Sequence, residues 1–243
     1  MKINNSYHGK IINILSNVNS NFLEECNAYF GGGTRLALDL DEYRWSKDID
    51  FVCPSGLGYQ KLRKCIFEDG YDALFTDYNG LKLPRPIQAN QYGIRFPVEV
   101  DDVLIKFEVF NEARIQLEPP VKVAWADVPC LSINDCYSEK LLANADRWAD
   151  AAVESRDLID LCALRNHYEM PQFAITKAES AYPVIEPLKK SIVYFQESSG
   201  FRNRCYDSLK INNASMIIDG LDLLAKDLQL PLTKRIFREE GSI

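Results

Sequence analysis

Two aspartates separated by one residue, Asp48 and Asp50, are the first groups whose type and spacing suggest chemistry. They lie in residues 48–53, an apolar run that predicts a β-strand ended by Pro54. Because side chains alternate along a strand, both carboxylates would lie on one face. Neighbouring carboxylates repel each other unless a cation lies between them, and Mg²⁺ prefers oxygen ligands. The pair predicts a divalent-metal site, although an Asp-x-Asp pair alone is also common on solvated strands.

A glycine turn precedes the aspartates. Residues 31–34 read Gly-Gly-Gly-Thr and lie between residues 28–30, which predict a strand, and residues 36–40, which predict a short helix. Such a turn exposes backbone N–H groups and lets a ligand approach closely, which suits the β- and γ-phosphates of a nucleotide. Thr34 is expected to cap the helix and to donate to phosphate. A glycine run alone is often only a flexible turn, and neither common phosphate-binding glycine fingerprint is present.

A third carboxylate interrupts the most strand-like segment of the chain, residues 103–110. Glu108 shares a face with Lys106, and its apolar neighbours take the other face. A charge in an apolar strand is costly unless it lies at an edge or has a partner. A metal beside Asp48 and Asp50 would be such a partner. Glu108 is therefore the predicted third metal ligand and a candidate base for the attacking hydroxyl.

The elements that must position these groups change character along the chain. Residues 1–130 predict a mixed α/β domain and residues 131–243 a helical domain that contributes to the site, with the change near residues 128–132. The expected fold class is α+β, a mixed-sheet core followed by a helical C-terminal part. Further predicted helices cover residues 9–26 (broken near 17–20), 57–69, 134–150, 155–168, 172–181, 186–197 and 213–229. Further predicted strands cover residues 71–77 and 93–100, and loops cover residues 79–92 and the Pro119-Pro120 pair.

Composition restricts the class of protein. Hydrophobic residues make up 47% and charged residues 26%, as in ordinary globular proteins. The net charge of −7 argues against a protein that coats DNA, but it allows a local basic patch. The seven cysteines form no Cys-x-x-Cys pair, so free thiols in a reducing cytoplasm are expected rather than disulfides or zinc. No apolar run reaches the length of a signal peptide or membrane span, so no membrane partner is expected. Residues available for a basic patch include Arg85, Arg95, Lys106, Lys122 and Arg147.

The combined pattern resembles a known superfamily. Its first half is Gly32-Gly33-Thr34-x-Leu36-Ala37-Leu38, and its second half is Arg44-x-Ser46-x-Asp48-Ile49-Asp50-Phe51. This pattern is similar to the signature of nucleotidyltransferases of the DNA polymerase β type, and it is closest to the AbiEii/AbiGii toxin family of type IV toxin–antitoxin and phage-defence modules. Residues 138–143 resemble the family's lysine-bearing helix, and residues 155–161 resemble its Arg-Asp-x-x-Asp-Leu motif. The resemblance covers roughly residues 28–165.

The resemblance implies a role for each matching residue. Asp48 and Asp50 would hold Mg²⁺ or Mn²⁺, and Asp157 would position or deprotonate the acceptor. Asp160 would either serve the site or pair with Arg156 or Arg147. The third strand carboxylate varies within the superfamily, so Glu108 is less secure than the aspartates. The residues that would bind the NTP are Gly32, Gly33, Thr34, Ser46 and Lys140.

The implied activity is transfer of a nucleoside monophosphate from an NTP to an acceptor hydroxyl, with release of pyrophosphate. The acceptor would be tRNA, another RNA 3′ end or a protein hydroxyl, and a cognate antitoxin is an expected partner. Two alternatives stay open. One is a small-molecule nucleotidyltransferase that modifies an antibiotic-type hydroxyl, and the other is a catalytically silent module that binds a nucleotide or a partner. The preferred NTP and the oligomeric state are not predicted.

Overall fold

The structure is a computed structural model that describes residues 5–240. The chain forms two compact units. The first contains residues 5–38 together with Ser46–Ser132, and the second contains Asp39–Trp45 together with residues 133–240. The predicted α+β class is confirmed, because a mixed sheet occupies the first unit and helices make up most of the second.

The first unit is built on a seven-stranded sheet with the strand order 3-4-5-2-1-7-6. Strand 2 runs parallel to strand 5 and antiparallel to strand 1, so the predicted aspartate strand lies at the centre of the sheet. The strands are β1 (Tyr29–Phe30), β2 (Ile49–Pro54), β3 (Gln88–Ala89), β4 (Gly93–Val100), β5 (Val103–Glu112), β6 (Val121–Val123) and β7 (Ala126–Cys130).

From residue 5 onward, the first unit also contains four α-helices and one 3₁₀ helix. They are α1 (Ser6–Asn17), α2 (Ser20–Glu25), α3 (Gly32–Asp39), α4 (Leu57–Asp69) and the 3₁₀ helix Gly70–Ala73. The predicted break near residues 17–20 separates α1 from α2. One face of the sheet carries a buried row of stacked rings, in which the Phe107 centroid lies 4.7 Å from that of Phe96 and 5.4 Å from that of Phe51. Asp50 and Glu108 alternate with these rings, so they lie on the opposite face.

The predicted strand at residues 71–77 is wrong. Gly70 adopts a φ of +61° after α4, and the chain then enters a 3₁₀ helix instead of extending. Tyr71 and Phe75 both pack against Phe96, with ring centroids at 5.2 and 6.0 Å. Their spacing of four residues matches a helical turn and not a strand, in which only every second residue shares a face.

In the described part of the second unit there are six α-helices, and five of them were predicted within a few residues of their observed ends. Gly220 allows two of the helices to cross closely, because a Cβ there would lie 2.1 Å from the Cys162 carbonyl oxygen. In residues 5–240 no helix is long and apolar enough to cross a membrane. The helices are α5 (Ile133–Arg147), α6 (Arg156–His167), α7 (Gln172–Glu179), α8 (Ile185–Glu197), α9 (Ser199–Ser208) and α10 (Ala214–Asp227), with 3₁₀ helices at Ala151–Val153 and Phe237–Glu239.

Candidate active site

The glycine turn packs directly on one of the two aspartates. Helix α3 begins at Gly32, whose φ of +68° lies in the left-handed region. A Cβ at Gly32 would lie 2.5 Å from Asp50 Oδ2, so a side chain cannot fit there without moving the carboxylate. The backbone N–H of Gly31 also donates to the Asp50 carbonyl at 2.8 Å. Asp50 therefore lies against the N-terminal end of α3, where helix N–H groups favour negative charge.

Thr34 holds the second aspartate through its backbone. Its side chain is fully buried, and its Oγ1 donates to the Asp48 carbonyl at 2.6 Å. The same Oγ1 is 2.7 Å from Ser46 Oγ. Since a hydroxyl has one hydrogen, the Ser46 hydroxyl must donate in this second bond. Both hydroxyls therefore position the segment that carries Asp48.

The expectation that Thr34 caps the helix needs correction. Helix α3 already begins at Gly32, so Thr34 lies within its first turn. Its Oγ1 bonds the Asp48 carbonyl and Ser46 Oγ, and it does not accept from a backbone N–H at the start of the helix. The contacts of Thr34 and Ser46 with a nucleotide stay predictions.

Asp48 and Asp50 together provide a donor set that suits a hard divalent cation. Both side chains are half-buried, and Asp48 lies one residue before β2. Magnesium is commonly bound by one or two protein carboxylates, with water and substrate phosphate completing its shell. Within residues 5–240, no three His, Cys, Asp or Glu side chains form a metal-binding group. The chemistry of the pair fits Mg²⁺ or Mn²⁺, and metal binding itself stays a prediction.

Glu108 lies next to Asp50, but its carboxylate has other partners. The two residues are in register across the parallel β2–β5 pair, and Arg95 is in register with Glu108 on its other side. The Glu108 side chain is 6% exposed and pairs with Arg95 at 2.7 Å and with Lys106. The sequence suggested a metal as the charge partner of Glu108, whereas the structure provides two cations. The third-ligand role therefore lacks support from the contacts of this carboxylate.

In the second unit, Lys140 and Asp157 belong to a buried ion-pair network. Lys140 Nζ lies 3.2 Å from Asp157 Oδ1, and Arg147 bonds the same carboxylate through Nε at 2.6 Å and Nη2 at 2.9 Å. Burial alone would raise the pKa of Asp157, but the charges of Lys140 and Arg147 outweigh it and lower that pKa. The contacts of Lys140 with phosphate and of Asp157 with an acceptor stay predictions.

Asp160 is the centre of this network and not an accessory to Arg156 or Arg147. Arg44 bonds its carboxylate through Nε at 2.6 Å and Nη2 at 2.9 Å, and the Tyr43 hydroxyl donates to it at 2.6 Å. Lys140 Nζ lies 2.6 Å from the same carboxylate. Burial opposes ionisation of Asp160, yet the charges of Arg44 and Lys140 hold its pKa well below the usual range.

The pKa of Lys140 shifts in the opposite direction, upward. Burial would lower the pKa of Lys140, but Asp160 and Asp157 outweigh that effect and raise it. The Arg-x-Ser-x-Asp pattern marked Arg44, but no sequence signal indicated that Tyr43 and Arg44 bond Asp160. The network couples the segment Asp39–Trp45 to helices α5 and α6 of its own unit.

Comparison with known proteins found one protein family and two solved structures that resemble this chain. The family model described as "Nucleotidyl transferase AbiEii toxin, Type IV TA system" matches residues 13–183, which is well over half of the chain. This chain belongs to that family. The AbiEii match includes the glycine turn, both aspartates and the Lys140–Asp157–Asp160 network, and the predicted resemblance is confirmed. No curated protein matches the chain.

Two solved structures share the fold of this AbiEii family member. One is described as a candidate nucleotidyltransferase from H. pylori, with 17% identity, a TM-score of 0.54 and coverage of 94% of this chain and 98% of that one. The other is JHP933 from Helicobacter pylori, with 17% identity, a TM-score of 0.51 and coverage of 93% of both chains. At this identity the likeness supports the fold alone.

Two residues of α1 contact the segment just before Asp48, and the sequence analysis did not predict them. His8 Nε2 lies 3.2 Å from the Ser46 carbonyl oxygen, and the Tyr7 hydroxyl donates to the Lys47 carbonyl at 3.1 Å. Both residues precede the part of the chain that carries the resemblance, and neither has a motif around it. Only the tertiary structure brings them to the aspartates.

Proposed function

We propose that this AbiEii family member is a metal-dependent nucleotidyltransferase that transfers a nucleoside monophosphate from an NTP to an acceptor hydroxyl, with an RNA 3′ end such as that of tRNA as the first candidate acceptor. The observation that carries the proposal is the packing of Asp50 on Gly32. It joins a carboxylate pair to the N-terminal end of a helix, so that groups suited to a cation and to phosphate lie together.

In the proposed site, side chains would bind the metal ion and backbone N–H groups would bind the phosphates. Asp48 and Asp50 would hold Mg²⁺ or Mn²⁺, and such an ion, when bound, neutralises charge on the phosphates of the nucleotide. The first-turn N–H groups of α3, which include those of Gly32 and Gly33, would donate to phosphate oxygens. Thr34 and Ser46 keep Asp48 in place through the bonds described above. Glu108 holds Arg95 and Lys106 and is not assigned to the metal.

The transfer itself is a nucleophilic displacement at the α-phosphorus. The acceptor oxygen forms a bond to that phosphorus, the bond to the bridging oxygen breaks, and pyrophosphate leaves with the electron pair. The acceptor hydroxyl loses its proton to a base. On the resemblance, we assign Asp157 to the acceptor and Lys140 to the phosphates. Positioning and charge stabilisation would supply most of the rate enhancement.

The biological setting follows from the family. Its description names a toxin of a type IV toxin–antitoxin system. We therefore place the chain in the cytoplasm as the toxin of such a module, together with a cognate antitoxin.

The reaction class is tested with NTPs labelled at either end of the phosphate chain. Purified protein is incubated with Mg²⁺, total RNA and each NTP labelled at the α- or the γ-phosphate. The proposal predicts that α-label enters RNA while γ-label leaves in pyrophosphate. Entry of γ-label into an acceptor would show phosphoryl transfer and would contradict the proposal.

The same experiment separates the alternatives. Label that enters added small hydroxyl compounds, but never RNA or protein, would identify a small-molecule nucleotidyltransferase. Metal-dependent NTP binding without transfer to any acceptor would leave a silent binding module. Asp48→Ala provides the matched negative control, because it removes a proposed metal ligand from the same purified protein.

A further inference from the structure

Three consecutive backbone carbonyls in front of β2 are each bonded by a side chain. The Ser46 carbonyl contacts His8 Nε2 at 3.2 Å, the Lys47 carbonyl accepts from the Tyr7 hydroxyl at 3.1 Å, and the Asp48 carbonyl accepts from Thr34 at 2.6 Å. A carbonyl can only accept, so His8 Nε2 must carry a hydrogen in this contact. The segment that carries Asp48 is thus fixed at each of its residues.

Side-chain bonds matter here because residues 46–48 lie outside regular structure. Strand β2 begins at Ile49, and its pairing with β5 begins at the same residue. Residues 46–48 therefore lack the ladder of hydrogen bonds that holds a strand. Without side-chain partners, their carbonyls would leave the Asp48 backbone free to shift.

Helix α1 presents His8 and Tyr7 from a well-defined start. Asn5 caps the helix, and its side chain accepts from the Tyr7 backbone N–H at 2.9 Å. His8 is completely buried. The enclosed imidazole and the capped helix start restrict the movement of both side chains. They act as fixed points for the Ser46 and Lys47 carbonyls.

Tyr7 also lies within electrostatic reach of the Asp48 side chain. Burial raises the pKa of the Tyr7 phenol, and the negative charge of Asp48 raises it further. The phenol therefore senses the charge of Asp48, and its hydroxyl bonds the carbonyl of the preceding residue, Lys47. The electrostatic effect is independent of the hydrogen bond to Lys47.

We infer that Tyr7 and His8 are positioning residues of the metal site, which hold residues 46–48 so that Asp48 stays aligned with Asp50. This inference rests on the proposed function, because it concerns the metal assigned to the aspartate pair. Neither residue is required to touch the nucleotide. Groups that orient metal ligands in this way commonly change metal affinity or activity by roughly 10- to 100-fold when they are removed.

The test uses two substitutions that each remove one of these hydrogen bonds, a conservative replacement and a matched control. Tyr7→Phe removes only a hydroxyl, His8→Leu removes the ring donor, and His8→Gln keeps an N–H donor near the position of Nε2. Tyr59→Phe is the control, because the Tyr59 hydroxyl also donates to a backbone carbonyl of the first unit, that of Asn90, at 2.6 Å. All proteins are checked for folding by circular dichroism and thermal melting.

Mn²⁺ binding by electron paramagnetic resonance is the primary readout. We expect Tyr7→Phe and His8→Leu to weaken Mn²⁺ binding by about tenfold. His8→Gln should recover most of the affinity, and Tyr59→Phe should match wild type. In the transfer assay, added Mg²⁺ should restore the lost rate of Tyr7→Phe, with the KM for NTP almost unchanged at saturating metal. A merely structural role would not produce metal rescue.

The outcomes separate this inference from the proposed function. If wild type binds no Mn²⁺ and no NTP, the proposed function fails first. If wild type binds Mn²⁺ and folded Tyr7→Phe binds it equally well, the positioning role of Tyr7 and His8 is overturned. If His8→Leu does not fold, Tyr7→Phe decides the question, since it changes a single atom group at a half-buried position.

Discussion

Gly32 is constrained both by its own backbone conformation and by its contact with Asp50. Its φ of +68° disfavours any residue with a Cβ, and its Cα faces the Asp50 carboxylate. These are separate constraints, since the first acts on the backbone of Gly32 and the second on the position of Asp50. A substitution therefore affects both stability and the site.

Gly32→Ala should separate these two effects when it is compared with Gly80→Ala. Gly80 has a similar φ of +72°, but a Cβ there would meet only Asn13 Nδ2, at 3.8 Å. Both variants should lose about 1–2 kcal/mol of unfolding free energy in denaturant titrations, because both force a side chain into the left-handed region. Only Gly32→Ala should also weaken Mn²⁺ binding. Equal Mn²⁺ affinity of the two variants would show that Asp50 tolerates the displacement.

Glu108 lies on β5, next to β2, and its role as charge partner or metal ligand can be tested. Glu108→Gln removes the shared partner of Arg95 and Lys106, whose side chains are 48% and 54% exposed and can turn to water. We expect a loss of about 1–3 kcal/mol in unfolding free energy, with Mn²⁺ affinity close to wild type. Glu112→Gln is the control, since Glu112 is equally buried on β5 and pairs with Arg114. A loss of Mn²⁺ binding in Glu108→Gln alone would restore its role as third ligand.

The sequence was most informative about single residues where backbone rules are strict. Strand alternation correctly put Glu108 on the face opposite Phe107, and a glycine turn before a strand with Asp50 implied their proximity. It could not show how each charge is compensated. Arg95 becomes the neighbour of Glu108 only through the register of β4 with β5, which no local pattern encodes.

At the scale of elements, non-local contacts place the segment Asp39–Trp45 in a different unit from its neighbours in the sequence. It begins at the last residue of α3 and ends before β2, yet it is part of the helical unit. Tyr43 and Arg44 connect it to Asp160 of α6. The segment contains Asp39, Asp41 and Glu42, and this acidic composition gave no sign of the contacts with Asp160.

Asp160→Asn should strongly destabilise the helical unit. The change would leave the buried Arg44 and Lys140 with less compensating charge, at an expected cost of about 3–5 kcal/mol. The control is Asp227→Asn, which breaks a two-point pair with Arg165 whose side chains are 16% and 28% exposed, so its cost should be clearly smaller. Unfolding in urea, followed by tryptophan fluorescence, measures both. Equal losses would contradict a special role for the buried network.

The network also predicts how stability depends on pH. The pKa values of Asp157 and Asp160 lie below their ordinary value of 3.8 in the folded protein, so the unfolded chain binds more protons at acidic pH. Their contribution is complete above pH 3.8 and is lost as the pH falls towards the folded pKa values. Acid titration by circular dichroism should show this loss in wild type and a shallower slope in Asp160→Asn. An identical slope would contradict the assignment.

Helix α9 and strands β6 and β7 show the limits of prediction for short elements. Helix α9 follows α8 after the single residue Ser198, so its periodicity merges with that of its neighbour. Strands β6 and β7 are only three and five residues long and depend on pairing with each other and with β1. Long periodic segments such as α4 were predicted to the residue.

For the whole molecule, the sequence predicted the α+β class because the two halves differ in hydrophobic period. The family match over residues 13–183 covers the positions of the glycine turn, the aspartate pair and the buried network. The net charge of −7 also bears on the proposed function, since an RNA acceptor would have to be held by local cations and not by the whole surface. Transfer to RNA should therefore weaken as the salt concentration rises.

The most direct test of the account is label transfer from an α-labelled NTP by wild type, Asp50→Asn and Asp77→Asn over a range of Mg²⁺ concentrations. Asp77 lies in an exposed loop and serves as the control for loss of one carboxylate. We expect wild type and Asp77→Asn to transfer label only with Mg²⁺, and Asp50→Asn to lose at least about 100-fold in rate while staying folded. Transfer by wild type without divalent cation, or an unchanged rate in Asp50→Asn, would contradict the assignment of the aspartate pair as the metal-binding centre.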